Sequence, residues 1–247
     1  MNFFPLAKWA AALAACLLSS CIDCREEIHL AADGSGRIDL TYSLPAAAAR
    51  LHGGNAGVSR MLGKILSETP QLHSTTHQVT TVGDRLQIRV HAAFDSAMDL
   101  KKISASSAKA LPSAATHLTG KVDLKFSGRT VDFSRIIAPG RALPGAAFMP
   151  PSSFEGRNLV YIMHLPIAPR ASNATRTENH GRTLIWDFPL ASAIRTPVNP
   201  RFTLEMPLPQ RLIASLVALL LCVTALMIFR SRKLRKSRKP PVQAGVV

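Results

Sequence analysis

The feature that most restricts this chain is an uncharged run of eighteen residues, Leu212 to Phe229, with seven Lys and Arg in the ten positions after it. At 1.5 Å per residue such a run makes a helix of about 27 Å, enough to cross a hydrocarbon core. Pro207 and Pro209 stand just before it and end any strand there. Arg230, Arg232, Lys233, Arg235, Lys236, Arg238 and Lys239 follow it, and a basic flank stays on the cytoplasmic side. Residues 211–229 are therefore expected as a transmembrane helix and 230–247 as a basic cytoplasmic tail. Everything before Gln210 is expected on the extracytoplasmic side.

The opposite end agrees. Lys8, the apolar run Trp9–Leu18 and the small residues Ser19 and Ser20 have the layout of a secretory signal over residues 1–20. Leu18-Ser19-Ser20-Cys21 reads as a lipobox: small side chains precede the cut, the Cys21 thiol takes lipid, and the freed amine takes an acyl chain such as palmitate. Buried methylenes contribute about 0.8 kcal/mol each, so two or three chains hold the N-terminus firmly. The expected location is a bacterial cytoplasmic membrane, with one domain spanning 21–210 and anchored at both ends in the same bilayer.

The formal charge of +15 would ordinarily point to nucleic acid. Once the tail, Arg211 and Lys8 are set aside, 21 basic and 15 acidic residues remain between Ile22 and Gln210. No nucleic-acid partner is expected. The second half is the more basic, with eleven cations and six anions over 121–210. Of the four cysteines, Cys16 leaves with the signal, Cys21 is lipidated and Cys222 lies in the membrane run, so Cys24 is the one thiol left outside. No internal disulfide is expected, and stability must come from the core.

Within the domain, alternation and turn residues predict hairpins. Ile28, Leu30, Ile38, Leu40, Tyr42 and Leu44 alternate around Asp33-Gly34-Ser35-Gly36; a second pair flanks Gly83-Asp84, and a third over 121–137 turns at Gly128-Arg129. Between them, 45–68 has helical spacing interrupted near Gly53, and 95–111 predicts a second helix with Asp95 as N-cap. Residues 139–156, with Pro139, Pro144, Pro150 and Pro151, read as a loop. Further strands are expected over 158–167, 170–177, 183–188 and 201–207. The expected fold class is α+β: a largely antiparallel sheet built from hairpins, two helices on one face, and the C-terminal transmembrane helix.

The lipobox, the early Asp33-Gly34-Ser35-Gly36 hairpin, the strand Thr183-Leu184-Ile185-Trp186-Asp187-Phe188-Pro189-Leu190, and a single C-terminal helix with a basic tail occur here in that order. In this the chain resembles the LppM-like domain family of bacterial membrane-anchored lipoproteins. The resemblance implies an extracytoplasmic α+β domain at the cell envelope that binds lipid or another apolar ligand, and it brings no catalytic signature.

The residues themselves offer little chemistry. No Gly-x-Ser-x-Gly, Walker loop, His-Glu-x-x-His or Cys-x-x-Cys occurs in the exported part. His73 and His77 are four apart with His91 nearby, but without a flanking carboxylate they read as solvated strand histidines. Glu26 and Glu27 are adjacent and so face opposite sides of a strand. No enzyme activity, metal or cofactor is expected. Trp186, Phe188 and Tyr161 read as core rather than ligand pocket. The remaining candidates for membrane or ligand contact are Phe148, Met149 and Phe154 in the Pro-rich loop, with Arg135, Arg141 and Arg157 as a basic rim for anionic phospholipid. The expected function is thus a non-enzymatic, doubly anchored envelope lipoprotein that binds lipid or an apolar component; the alternative is an assembly module that docks a protein partner.

Overall fold

The computed structural model describes residues 23–50, 53–110, 117, 119–142 and 146–206. The expected signal, lipobox with Cys21, transmembrane helix and cytoplasmic tail lie outside the described residues, among which no helix is long and apolar enough to cross a membrane. The chain up to Glu205 forms one compact unit.

The first hairpin is β1 (Asp23–Leu30) and β2 (Gly36–Pro45), closed by the Asp33 carboxylate, which accepts from the Ser35 amide at 2.9 Å. Two helices follow, α1 (Ala46–Arg50) and α2 (Gly54–Ser67). They are separated by Gly53 at φ 80°, a left-handed conformation that costs glycine nothing. The second hairpin is β3 (His73–Val82) with β4 (Arg85–Phe94), and α3 (Ala97–Ala110) comes next. The sequence reading put the α3 cap at Asp95. Ser96 holds it instead: its hydroxyl accepts from the Met98 amide at 3.3 Å while Asp99 accepts from the Ser96 amide at 3.1 Å, a capping box.

The third hairpin is β5 (Lys121–Ser127) and β6 (Thr130–Ile136). Then come α4 (Pro139–Ala142), β7 (Asn158–His164), the short strands β8 (Ala171–Ser172) and β9 (Arg176–Glu178), β10 (Thr183–Pro189), α5 (Leu190–Ala193) and β11 (Arg201–Glu205). The segment read as a Pro-rich loop is partly helical, with α4 followed by 3-10 turns at Ala146–Phe148 and Pro151–Phe154.

The expected single sheet is two sheets. One has seven strands in the order β3-β4-β2-β1-β7-β10-β9, and the other four, β5-β6-β11-β8. The pairing is antiparallel except for β1 with β7. The α+β class and its antiparallel character hold, while the third hairpin leaves the first sheet and packs on it. Its apolar face meets that of the first sheet: Val122, Leu124, Val131 and Phe133 are buried with Ile28, Phe94, Tyr161, Met163 and Trp186 in the main core. Helix α2 covers the β3–β4 end of the same inner face, where Val58 packs with Ala49 and Leu86. Helix α3 contributes Leu100 to the main core. The helices and the second sheet therefore share one face of the seven-stranded sheet. Its other face carries the polar members of β1, β2 and β4, and the apolar Ile162 and Ile185 on β7 and β10.

Candidate functional site

Period-two alternation splits β1 into two chemistries. Cys24, Glu26 and Ile28 point inward and are buried, while Glu27 and His29 point outward. Register then sets the neighbours. His29 lies opposite Arg37 on β2 and His164 on β7, Asp39 pairs with both Glu27 and His91, and Thr183 of β10 faces His164. The result is a polar network across the outer face.

Glu27 Oε1 is 2.7 Å from His164 Nε2 and 3.4 Å from His29 Nε2. The His29 and His164 rings stack at 4.1 Å with 8° between their planes. His164 Nδ1 is 3.1 Å from the Thr183 hydroxyl, whose oxygen accepts from Asn179 Nδ2 at 2.9 Å. Asp39 takes His91 at 2.6 Å and Arg37 at 3.4 Å, and Arg37 Nη2 reaches His29 Nε2 at 3.3 Å. Burial, the neighbouring His164 and Arg37 hold the His29 imidazole below the ordinary histidine range. Burial pushes the Glu27 carboxyl up, but hydrogen bonds from His164 and Arg25 outweigh it and hold it low. An open depression of about 430 Å³, bordered by His29, Arg37, His73 and Asp95, gives access to this side. Thr183, His164 and Glu27 have the order of a hydroxyl, a base and an acid, but Thr183 is only 3% exposed, which closes the hydroxyl to a substrate.

The inner face holds a second polar group. Glu26 and Arg135 are both buried and form an ion pair. Tyr42 donates to the other Glu26 oxygen at 2.6 Å, and Arg135 Nε donates to the Thr119 carbonyl at 2.9 Å. The guanidinium lies 4.8 Å from the centroid of the Tyr161 ring. Burial opposes the charge on Arg135, yet Glu26 outweighs it and raises the guanidinium above its ordinary value. Burial pushes the Tyr161 phenol up to about 12 and raises Cys24, which packs beside Ile137 and Leu159, well above the ordinary thiol value. This network sits inside the core and can only be structural.

No protein-family model matches the chain. No characterised protein matches it in sequence. Among solved structures, the chain is distantly similar to the NMR structure of the folded domain of the Mycobacterium tuberculosis LppM protein, at 10% identity, with a TM-score of 0.47, over 76% of this chain and 92% of that one. The site described above rests on none of this likeness.

The contact residues expected from sequence are divided by the fold. Arg135 is no rim cation: it is buried against Glu26. Phe154 is 3% exposed and forms a small core with Ala146, Leu190 and Ile194, against which Met149 is half-buried. Arg157 is held by Asp23 at 3.2 Å, and Asp23 also takes Arg85 at 2.8 Å. Phe148, by contrast, is 94% exposed, and Arg141 is exposed as well. Trp186 and Tyr161 are fully buried core, as their strands predict. His73 and His77 part company: His73 meets Asp95 at 3.1 Å, while His77 turns to Ser59 of α2 at 3.0 Å. The cluster of Glu27, His29 and His164 was missed. The outward spacing of Glu27 and His29 is readable in β1, but His164 joins them through a parallel pairing across 137 positions that no local pattern encodes.

Proposed function

We propose that the protein is a non-enzymatic lipoprotein of a bacterial cytoplasmic membrane, held by acylated Cys21 and the Leu212–Phe229 helix, whose exported domain works by contact with the bilayer surface. The carrying observation is Phe148. A phenyl ring exposed over 94% of its area stands on a buried support of Ala146, Phe154, Leu190 and Ile194, and large apolar side chains presented in this way seek an apolar partner. Its segment lies at the Asp23 end of the described chain: Leu190 donates to the Arg157 carbonyl at 2.8 Å, and Arg157 binds Asp23. Exposed Arg141, nearby in sequence, supplies a cation for an anionic head group. Because Trp186, Tyr161, Phe133 and Phe202 fill the space between the sheets, a surface contact is a better reading than an enclosed apolar ligand.

The test uses the full chain in nanodiscs containing anionic lipid with brominated acyl chains. Phe148→Trp should be quenched strongly, and Met98→Trp, at the start of α3, should not. No quenching at position 148, or equal quenching at both, removes lipid contact as the function. A second reading, protein docking, draws on β3, whose ten residues form an edge of the larger sheet. Crosslinking in intact cells from position 78 on that edge would favour it by giving one dominant protein adduct.

A further inference from the structure

Glu27 and His29 are two apart on the outer face of β1, so their Cα atoms are about 6.7 Å apart, and His164 sits opposite His29 one strand away, about 4.8 Å. This triangle brings one carboxylate oxygen and two imidazole nitrogens to within 4.8 Å of one another. Donors around a tetrahedral ion with bonds of about 2.0–2.2 Å stand about 3.3–3.6 Å apart; here the Glu27 oxygen is 3.4 Å from His29 Nε2 and, across the hydrogen bond that an ion would replace, 2.7 Å from His164 Nε2. We propose that Glu27, His29 and His164 form a binding site for one divalent transition metal of the zinc class, with the fourth position open to water.

Three observations carry this beyond proximity. A guanidinium can only donate, so the 3.3 Å approach of Arg37 Nη2 makes His29 Nε2 an unprotonated acceptor, the form that ligates a metal once Arg37 withdraws. His164 Nε2 now donates to Glu27, and the Thr183 hydroxyl beside Nδ1 can accept the ring proton there once Nε2 turns to ligate. The three side chains are 24–28% exposed, shielded enough to bind and open enough for an ion to enter. Two imidazoles and one carboxylate suit zinc or its neighbours rather than calcium or magnesium, which take oxygen shells.

Capture has a mechanical consequence. Both Nε2 atoms lie beside the same Glu27 oxygen, so one ring must turn about its Cβ–Cγ bond to meet the ion; the His164 proton moves through solvent from Nε2 to Nδ1, and the His164–Glu27 hydrogen bond is exchanged for two metal bonds. Arg37, exposed and paired with Asp39, is free to withdraw. The ion would then staple β1 to β7, the sole parallel pair among the described residues, joining the first strand to the second half of the chain.

The test is titration of chelator-treated full-length protein in micelles with cobalt(II), then zinc. Wild type should bind one ion per chain with the strong visible absorption of tetrahedral cobalt, and zinc should displace it and raise the unfolding temperature. His29→Gln and His164→Gln should each lose the signal, Thr183→Val should weaken binding by about 10- to 100-fold, and His73→Gln should leave it unchanged. Circular dichroism checks the fold of each variant; if His164→Gln unfolds the domain, His29→Gln carries the test. No saturable one-to-one binding in wild type, or the same affinity in folded His29→Gln, overturns the site.

Discussion

Replacing Arg135 with leucine tests whether the buried ion pair organises the junction of the two sheets. Arg135 is 5% and Glu26 4% exposed, so the variant leaves a carboxylate inside the core with only the Tyr42 hydroxyl at 2.6 Å as a named donor. It also removes both guanidinium hydrogen bonds to the Thr119 carbonyl. Stranding one member of such a pair costs about 3–5 kcal/mol. At roughly 2–4 °C per kcal/mol for a domain of this size, the unfolding temperature should drop by about 6–20 °C. The double variant Glu26→Leu with Arg135→Leu removes both charges together. It should be more stable than Arg135→Leu alone, with the residual loss coming from the hydrogen bonds that the Tyr42 hydroxyl and the Thr119 carbonyl lose. Trp186 reports the transition: it is fully buried and its ring lies 5.5 Å from Tyr161, over which the guanidinium sits. Thermal unfolding followed by its fluorescence gives all four corners of the cycle. A drop below about 3 °C for Arg135→Leu, or a double variant as unstable as the two singles added, would refute the reasoning.

Other outcomes follow from the same structure. Phe154→Ala should cost about 3–5 kcal/mol as a cavity under Ala146, Leu190 and Ile194, whereas Phe148→Ala should stay within about 0.5 kcal/mol; urea unfolding separates them, and equal costs would mean that Phe148 is not exposed. Stability should fall in two stages on acidification. The unfolded chain binds the His29 proton more readily than the fold does, so stability is full above about pH 6.5 and is lost as pH falls through the lower folded value. Glu27 and Asp39 are held low by hydrogen bonds from His164 and His91 that outweigh burial, and their share is lost only below about pH 4.5. His29→Gln should abolish the first stage, which a pH series of melting curves would detect. Intact mass of membrane fractions should show a chain beginning at Cys21 with added acyl mass, absent in Cys21→Ser; a full-length unmodified chain would remove the lipid anchor from the proposal.

Much of the local structure was legible because turns and alternation are written in short windows. Gly83-Asp84 and Gly128-Arg129 close their hairpins as read, and the break near Gly53 separates α1 from α2. Adjacent Glu26 and Glu27 do face opposite sides, because a strand alternates whatever it is paired with. Segment 139–156 was less legible. Proline count argues for a loop, yet prolines also begin helical turns, and Gly140 permits α4 to approach the Ile194 carbonyl oxygen so closely that a Cβ would stand 2.0 Å from it.

What the sequence determined by itself was the three hairpins, the two main helices, their faces, and the apolar and basic runs at the two ends, since each depends on residues close together in the chain; the strand expected over 170–177 is instead split into β8 and β9, one in each sheet. What only the tertiary structure decided was which face met which. Arg135 looks from the sequence like any cation beside an apolar loop, and becomes an interior charge because β6 crosses β1 where Glu26 points inward. Phe148 and Phe154 are alike in sequence, and the support built by α5 buries one and leaves the other in solvent. Glu27, His29 and His164 became neighbours through the one pairing that joins the first strand to the second half of the chain. Long-range register follows from how the whole core packs, and no short stretch of residues carries it.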